Sequence, residues 1–142
     1  TLGIFCALAV AGGRNGTITV LLYTILGLVG VPVFSGLSAG PAHLLGATGG
    51  YIIGFILCAL VYWVVTKLFH NTLKATISGL SLGLLTCYAT GTLWYAAVYL
   101  GEISAKALSS AIIVCIAPFI IPDIIKLIAA VLILKKLQSI KY

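Results

Sequence analysis

The long apolar runs of this chain carry almost no charge, and that constrains its fold more than any other feature. The runs at about 18–34 and 49–66 contain no Asp, Glu, Lys or Arg, and neither does the stretch between them. Two more runs cover about 76–100 and 107–134, and a short one covers 1–11. Of the 142 residues, 62% are apolar and 7% are charged, against roughly a quarter charged in an average soluble domain. So few charges cannot cover the surface of a water-soluble monomer. The pattern is that of an all-α, polytopic membrane helix bundle, with residues 1–142 as a single transmembrane domain. A soluble enzyme, a disordered tail and a secreted disulfide scaffold are all excluded.

The separators between runs set an expected topology. The net charge of +6 comes from basic residues at run ends, not from a cluster suited to nucleic acid. Arg14, Lys67, Lys74, Lys135, Lys136 and Lys141 fall on alternate ends, opposed by Lys106 alone. The positive-inside rule then puts those six and the C-terminus in the cytoplasm. Counting back across five spans places Thr1 outside. The run at 1–11 is too short to cross a ~30 Å hydrocarbon core, and the chain has no Met and opens inside apolar sequence. These observations together predict a six-helix parent whose first helix is missing here.

The outer loop Ser35–Thr48 is rich in small residues and too apolar for a free solvated loop, so it reads as a lid or cavity wall. Gly46, Gly50 and Gly54 share one helix face, as do Gly79, Gly83, Cys87 and Gly91. Small residues at this spacing let helix backbones approach closely, and neither stripe carries chemistry. Cys6, Cys58, Cys87 and Cys115 lie mid-run without metal-ligand spacing and read as small hydrophobes. Trp63, Trp94, Tyr62, Tyr95 and Tyr99 fall toward span ends, where interfacial belts form, although packing roles stay open. Tyr23 and Tyr51 are candidates to project into a cavity. His70 sits among loop lysines and reads as solvated.

The sharpest residue-level feature is Asp123 with Lys126, three apart and so on one helix face, inside an apolar run. A charge at mid-membrane costs on the order of 2.5–3.5 kcal/mol on insertion scales. Such a pair must face the bundle interior, bond to itself or meet a polar ligand. Pro118 and Pro122 precede it, which predicts a bent or broken helix, a common way to build a midplane binding site. A pair that merely locks the last helix is the competing reading. For catalysis the chain offers little: no G-x-x-x-x-G-K-[ST] phosphate loop, no H-E-x-x-H, no G-x-S-x-G, and no second acid near Asp123. The chain reads as a non-enzyme without a metal or a cofactor of its own.

Several blocks carry a family resemblance: Gly30-Val31-Pro32-Val33-Phe34, then Leu44 to Phe55, then Gly91-Thr92-Leu93-Trp94, then Pro118 to Lys126. In that order they closely resemble the signature of the BioY family, biotin-binding S components of energy-coupling-factor transporters. The resemblance implies a bacterial or archaeal plasma-membrane protein that captures biotin from outside. It also implies a transmembrane coupling subunit and two cytoplasmic ATPase subunits as partners, with ATP used by those subunits. Asp123 and Lys126 match the family's acidic and basic binding positions. Tyr51 and Thr48 would border the pocket, and the loop through His43 would cover it. The carboxylate suits the N–H edge of a cyclic urea, and the ammonium suits a carbonyl or carboxylate. Two departures stand out. Ala47 replaces a usual Pro, and the first helix with its following loop is absent, Thr1-Leu2 falling just after that loop. The rival expectations are an S component for thiamine or riboflavin, and a membrane scaffold with no small ligand.

Overall fold

The computed structural model describes residues 1–34, 36–70 and 72–140, and these are almost entirely helical. The first helix, α1 (Leu2–Val29), is two arms rather than one rod. Gly12 within it adopts φ 80° and ψ 175°, backbone geometry open essentially to glycine alone. In a straight helix Leu8 and Gly16 would lie about 12 Å apart. Instead, a Cβ on Gly16 would sit 2.8 Å from the Leu8 Cα. The chain therefore doubles back at Gly12 into two antiparallel arms. The reversal is confined to Gly12, and Gly13 to Gly16 already belong to the second arm.

The second arm ends at Gly30, whose φ of 116° is left-handed and whose N–H bonds back to the Leu26 carbonyl. Residues 31–34 are thus outside the helix, unlike the run to 34 expected from hydropathy. A connection holding one helical turn, α2 (Ala42–Leu45), leads to α3 (Gly49–Leu68). Helix α4 (Leu73–Trp94) follows, its N-terminus capped where the Thr72 hydroxyl accepts from Ala75 N–H at 3.1 Å. It widens into a π-helical turn over Tyr95–Tyr99. Ser104 caps α5 (Ala105–Cys115) in the same manner as Thr72, and α6 (Ala117–Ile140) closes the fold.

The last apolar run is therefore two helices, interrupted at Ile116 and not at both prolines. Pro118 lacks the N–H that would bond the Val114 carbonyl, so the helix stops there, and the ring is tolerated in the first turn of α6. Pro122 lies inside α6, which continues past it without a break.

Gly50 and Gly54 of one stripe and Gly79, Gly83 and Gly91 of the other join α3 to α4, whereas Gly46 lies before α3 in extended backbone and shares no helix face with them. A Cβ on Gly83 would lie 2.7 Å from Cys58 Sγ and 2.9 Å from the Cys58 carbonyl oxygen, and one on Gly54 would lie 2.9 Å from Cys87 Sγ. Backbones this close gain dispersion contacts where lipid removes the hydrophobic drive between helices. Phe5, Leu8, Val20, Cys58, Leu80 and Ala130 fill the centre. The Thr17 hydroxyl adds a bifurcated donation, 2.6 Å to the Gly13 carbonyl and 3.1 Å to the Ala59 carbonyl. Outward, Ile121, Ile125, Ile128 and Leu132 of α6 are exposed, as lipid-facing positions should be. By length and composition α1, α3 and α6 are each able to cross a membrane, although the reversal at Gly12 divides α1 between its two arms.

Gly83→Val should lower the melting temperature in detergent markedly, because the branched side chain meets the Cys58 backbone. Gly3→Val, where a Cβ meets nothing within 4 Å, should change it little. Equal melting of the two variants would contradict this packing.

Candidate functional site

Both arms of α1, the connection between α1 and α3, and helices α3 to α6 line a partly open cavity of about 620 Å³. Each sequence-predicted site residue, Asp123, Lys126, Tyr51, Thr48 and His43, lines it. They arrive from three places. One turn of α6 carries the charged pair, the start of α3 supplies Thr48 and Tyr51, and the lid supplies His43.

Asp123 is 2% exposed and is held from three elements. Its Oδ1 accepts from Lys126 Nζ at 2.9 Å and from the Thr1 hydroxyl at 2.7 Å. Its Oδ2 accepts from the Tyr88 hydroxyl at 2.7 Å. Lys126 also donates to Thr1 Oγ1 at 3.1 Å. The ion pair is the i, i+3 contact that the spacing predicts. Charge-assisted bonds of this kind offset the cost of a carboxylate removed from water.

Tyr51 lines the cavity, but its hydroxyl is committed. It donates to the Cys115 carbonyl at 3.3 Å, an acceptor released at the α5–α6 break, where Phe119 N–H turns to Ile116 instead. The Tyr51 ring lies against Gly91, where a Cβ would collide with it. Thr48 precedes α3 and makes no side-chain cap bond. Its carbonyl takes the N–H groups of Tyr51 and Ile52, and the residue lines the cavity. His43 packs edge-on against Phe34, centroids 6.1 Å apart. Phe34 in turn meets Tyr23 at 5.9 Å and covers Gly27.

The uncharged connection over 31–48 is thus a cavity wall, tied down at three points. Tyr23 donates to the Val33 carbonyl at 3.0 Å, Gly40 N–H to the Gly27 carbonyl at 2.8 Å, and Trp94 Nε1 to the Gly46 carbonyl at 3.0 Å. Ser35, in the same loop, lies outside the described residues.

Sequence reasoning missed Tyr88 and Thr1, and it left several aromatics open between an interfacial belt and packing. Tyr62 packs in the core against Gly79, and Trp94 anchors the loop through its indole N–H. Tyr95 lines the cavity while stacking on Tyr99 at 4.8 Å. Tyr88 on α4 and Tyr95 at the start of the π-helical turn that extends it are seven apart, on roughly one face. A tyrosine in the middle of an apolar span, with a hydroxyl that must find a partner, was the readable signal. Among the described residues no three His, Cys, Asp or Glu side chains gather as metal ligands.

The sequence has known relatives, and the family model for the BioY family matches residues 1–141. This chain belongs to the BioY family. Among BioY relatives, a probable biotin transporter of Pyrococcus horikoshii is 38% identical over 130 residues, 92% of this chain and 72% of that one. The biotin transporter BioY of Thermotoga maritima is 34% identical over 138 residues, 97% of this chain and 78% of that one. In three dimensions the chain is similar to the 2.1 Å crystal structure of the S-component for biotin from an ECF-type ABC transporter. That likeness has a TM-score of 0.80 at 26% identity and covers 97% of this chain and 72% of that one. This BioY chain is accordingly a multi-pass membrane protein of the S-component fold.

Tyr51→Phe should strand the Cys115 carbonyl, a loss of about 1–3 kcal/mol visible as a lower melting temperature in detergent. An unchanged melt would show that the α5–α6 break does not rely on that hydroxyl.

Proposed function

We propose that the chain is the substrate-binding membrane subunit of a biotin uptake system, taking biotin from outside into the cavity at Asp123 and Lys126. The observation that carries this reading is a buried carboxylate paired with a part-exposed ammonium on the wall of a cavity of about 620 Å³ in a chain whose BioY relatives are named biotin transporters. Cavities of roughly 300–1,000 Å³ suit small molecules of this size. The ureido head of biotin presents N–H donors and a carbonyl, complementary to an acceptor beside a donor. Its thioether ring and aliphatic chain suit the side chains of Ile52, Phe55 and Phe119, which also line the cavity.

Transport with this subunit takes a transmembrane coupling subunit and two cytoplasmic ATPase subunits. Hydrolysis of ATP by the latter drives delivery inward, and this chain, without a phosphate loop in its 142 residues, needs no cofactor of its own. The C-terminus is cytoplasmic. Supporting that orientation, Gly12, Leu73, Leu134 and Gln138 meet around a second, smaller hollow, and basic Arg14, Lys74, Lys135 and Lys136 are their near neighbours in sequence. Lys141 falls outside the described residues. The thiamine and riboflavin readings have no comparable support, since neither ligand is a cyclic urea joined to an aliphatic carboxylate, and the relatives' names do not favour a ligand-free scaffold.

The test is equilibrium binding of labelled biotin to the detergent-purified protein, with biotin, thiamine and riboflavin as competitors. Displacement by biotin alone is expected. Asp123→Asn should weaken binding about a hundredfold or more, as loss of a buried charged partner does, while the protein stays monodisperse. Unchanged affinity in that variant would reduce the pair to a structural clasp.

A further inference from the structure

We infer that the smaller hollow, at the end of the bundle opposite the cavity, seats the phosphate of an anionic phospholipid. The inference stands apart from the biotin reading. The hollow has a volume of about 210 Å³ and lies where the first arm of α1, α3, α4 and α6 meet, with Val10, Gly12, Leu73, Thr76, Leu134 and Gln138 on its wall. The cavity uses the other end of the same helices, with Thr1, Tyr51, Tyr88 and Asp123 on its wall. At 1.5 Å per residue, Asp123 and Gln138 are about 22 Å apart along α6. The two hollows are therefore separate sites.

Charge at this second end is one-sided. Among the described residues, Asp123 is paired with Lys126, and Glu102 and Lys106 fall together where α5 begins. The other charged residues, Arg14, Lys67, Lys74, Lys135 and Lys136, are all basic and all exposed, with no acid at their end of the helices. Three of them adjoin the lining of the hollow. Arg14 lies two residues after Gly12, Lys74 follows Leu73, and Lys135 follows Leu134. Lys135 is also three before Gln138, which puts both on one face of α6. Basic pockets between membrane helices are seats for acidic headgroups, and long basic side chains at span ends reach headgroup level while their stems stay on apolar surface.

The surroundings of the hollow favour a headgroup with a tail over a free anion. Gln138 brings an amide, whose N–H groups donate to phosphate oxygens. Val10 lines the same hollow yet is 48% exposed, so the hollow opens onto the outer apolar surface of the bundle. Ile133 and Leu137, beside the lining residues of α6, are exposed as well. An acyl chain can follow that surface while the phosphate stays among the basic residues. A free phosphate would meet the same charges without the apolar contact. An anion seated here joins the ends of the first arm, α4 and α6, the three elements that Asp123 holds together from the other end.

The test titrates the delipidated protein in detergent with dioleoylphosphatidylglycerol, dioleoylphosphatidylcholine or inorganic phosphate, reading bound molecules by native mass spectrometry and the melting temperature alongside. Phosphatidylglycerol should bind saturably, about tenfold or more tighter than phosphatidylcholine, and raise the melting temperature. Inorganic phosphate at the same concentrations should leave the melt unchanged. Equal binding of the two lipids overturns the anionic headgroup, and stabilisation by phosphate equal to that by the lipid overturns the lipid as occupant. Lys74→Gln and Lys135→Gln should each weaken phosphatidylglycerol about fivefold, the worth of one basic residue at an anionic surface. Lys67→Gln serves as the comparison, because it removes a charge at the same end of the bundle from a position whose sequence neighbours do not line the hollow. It should weaken the lipid by less than about twofold. Losses at Lys67 as large as those at Lys74 and Lys135 would mean diffuse attraction to the whole basic end, and would overturn the seat. The comparison of the two lipids on the unsubstituted protein decides the headgroup however the variants fold.

Discussion

A carboxylate in the apolar middle of a helix bundle is the constraint around which the rest of this structure is arranged. Left alone, Asp123 would cost several kcal/mol or neutralise. It is instead met by an ammonium one turn away, a tyrosine from α4 and a threonine from the first arm of α1. Those donors come from three elements distant in sequence, so satisfying one side chain fixes how α1, α4 and α6 sit against one another. The same bonds that make the charge tolerable limit what it still offers to a ligand.

Bringing those elements close enough is the work of the small residues. Gly12 turns the chain back on itself, which lays the first arm of α1 beside the second and brings Thr1 to the cavity. Gly54, Gly79 and Gly83 let α3 and α4 touch at backbone distance, and that contact sets Tyr51 and Tyr88 on adjoining walls. The break at Ile116 frees the Cys115 carbonyl for Tyr51. The irregular backbone near this site is therefore bonded within the protein, as it must be where lipid offers no partner.

Much of this was readable from residue types alone. Apolar runs and sparse charge gave the membrane helices, and glycine spacing gave the face joining α3 to α4. The pair at Asp123 and Lys126, isolated in apolar sequence, pointed to the site. What escaped depends on long-range approach. Thr1 lies 122 residues from Asp123 and Tyr88 lies 35 away, and no local pattern reports such contacts. Helix ends were shifted for local reasons: Gly30 stops the second arm early, Thr72 starts α4 early, and Pro118 splits the last run while Pro122 does not. Tyr62 and Trp94 resembled interfacial residues by position along their helices, but the neighbours that bury or bond them come from other segments.

Asp123 is the single aspartate in the sequence, so labelling with carboxyl-¹³C aspartate isolates one carboxylate in an infrared difference spectrum. If that carboxylate receives the ligand's N–H, saturating biotin shifts its antisymmetric stretch, and saturating thiamine leaves the band in place. A labelled band that does not move at saturating biotin would contradict the account, because the ligand would then be held without touching the group on which the cavity is built.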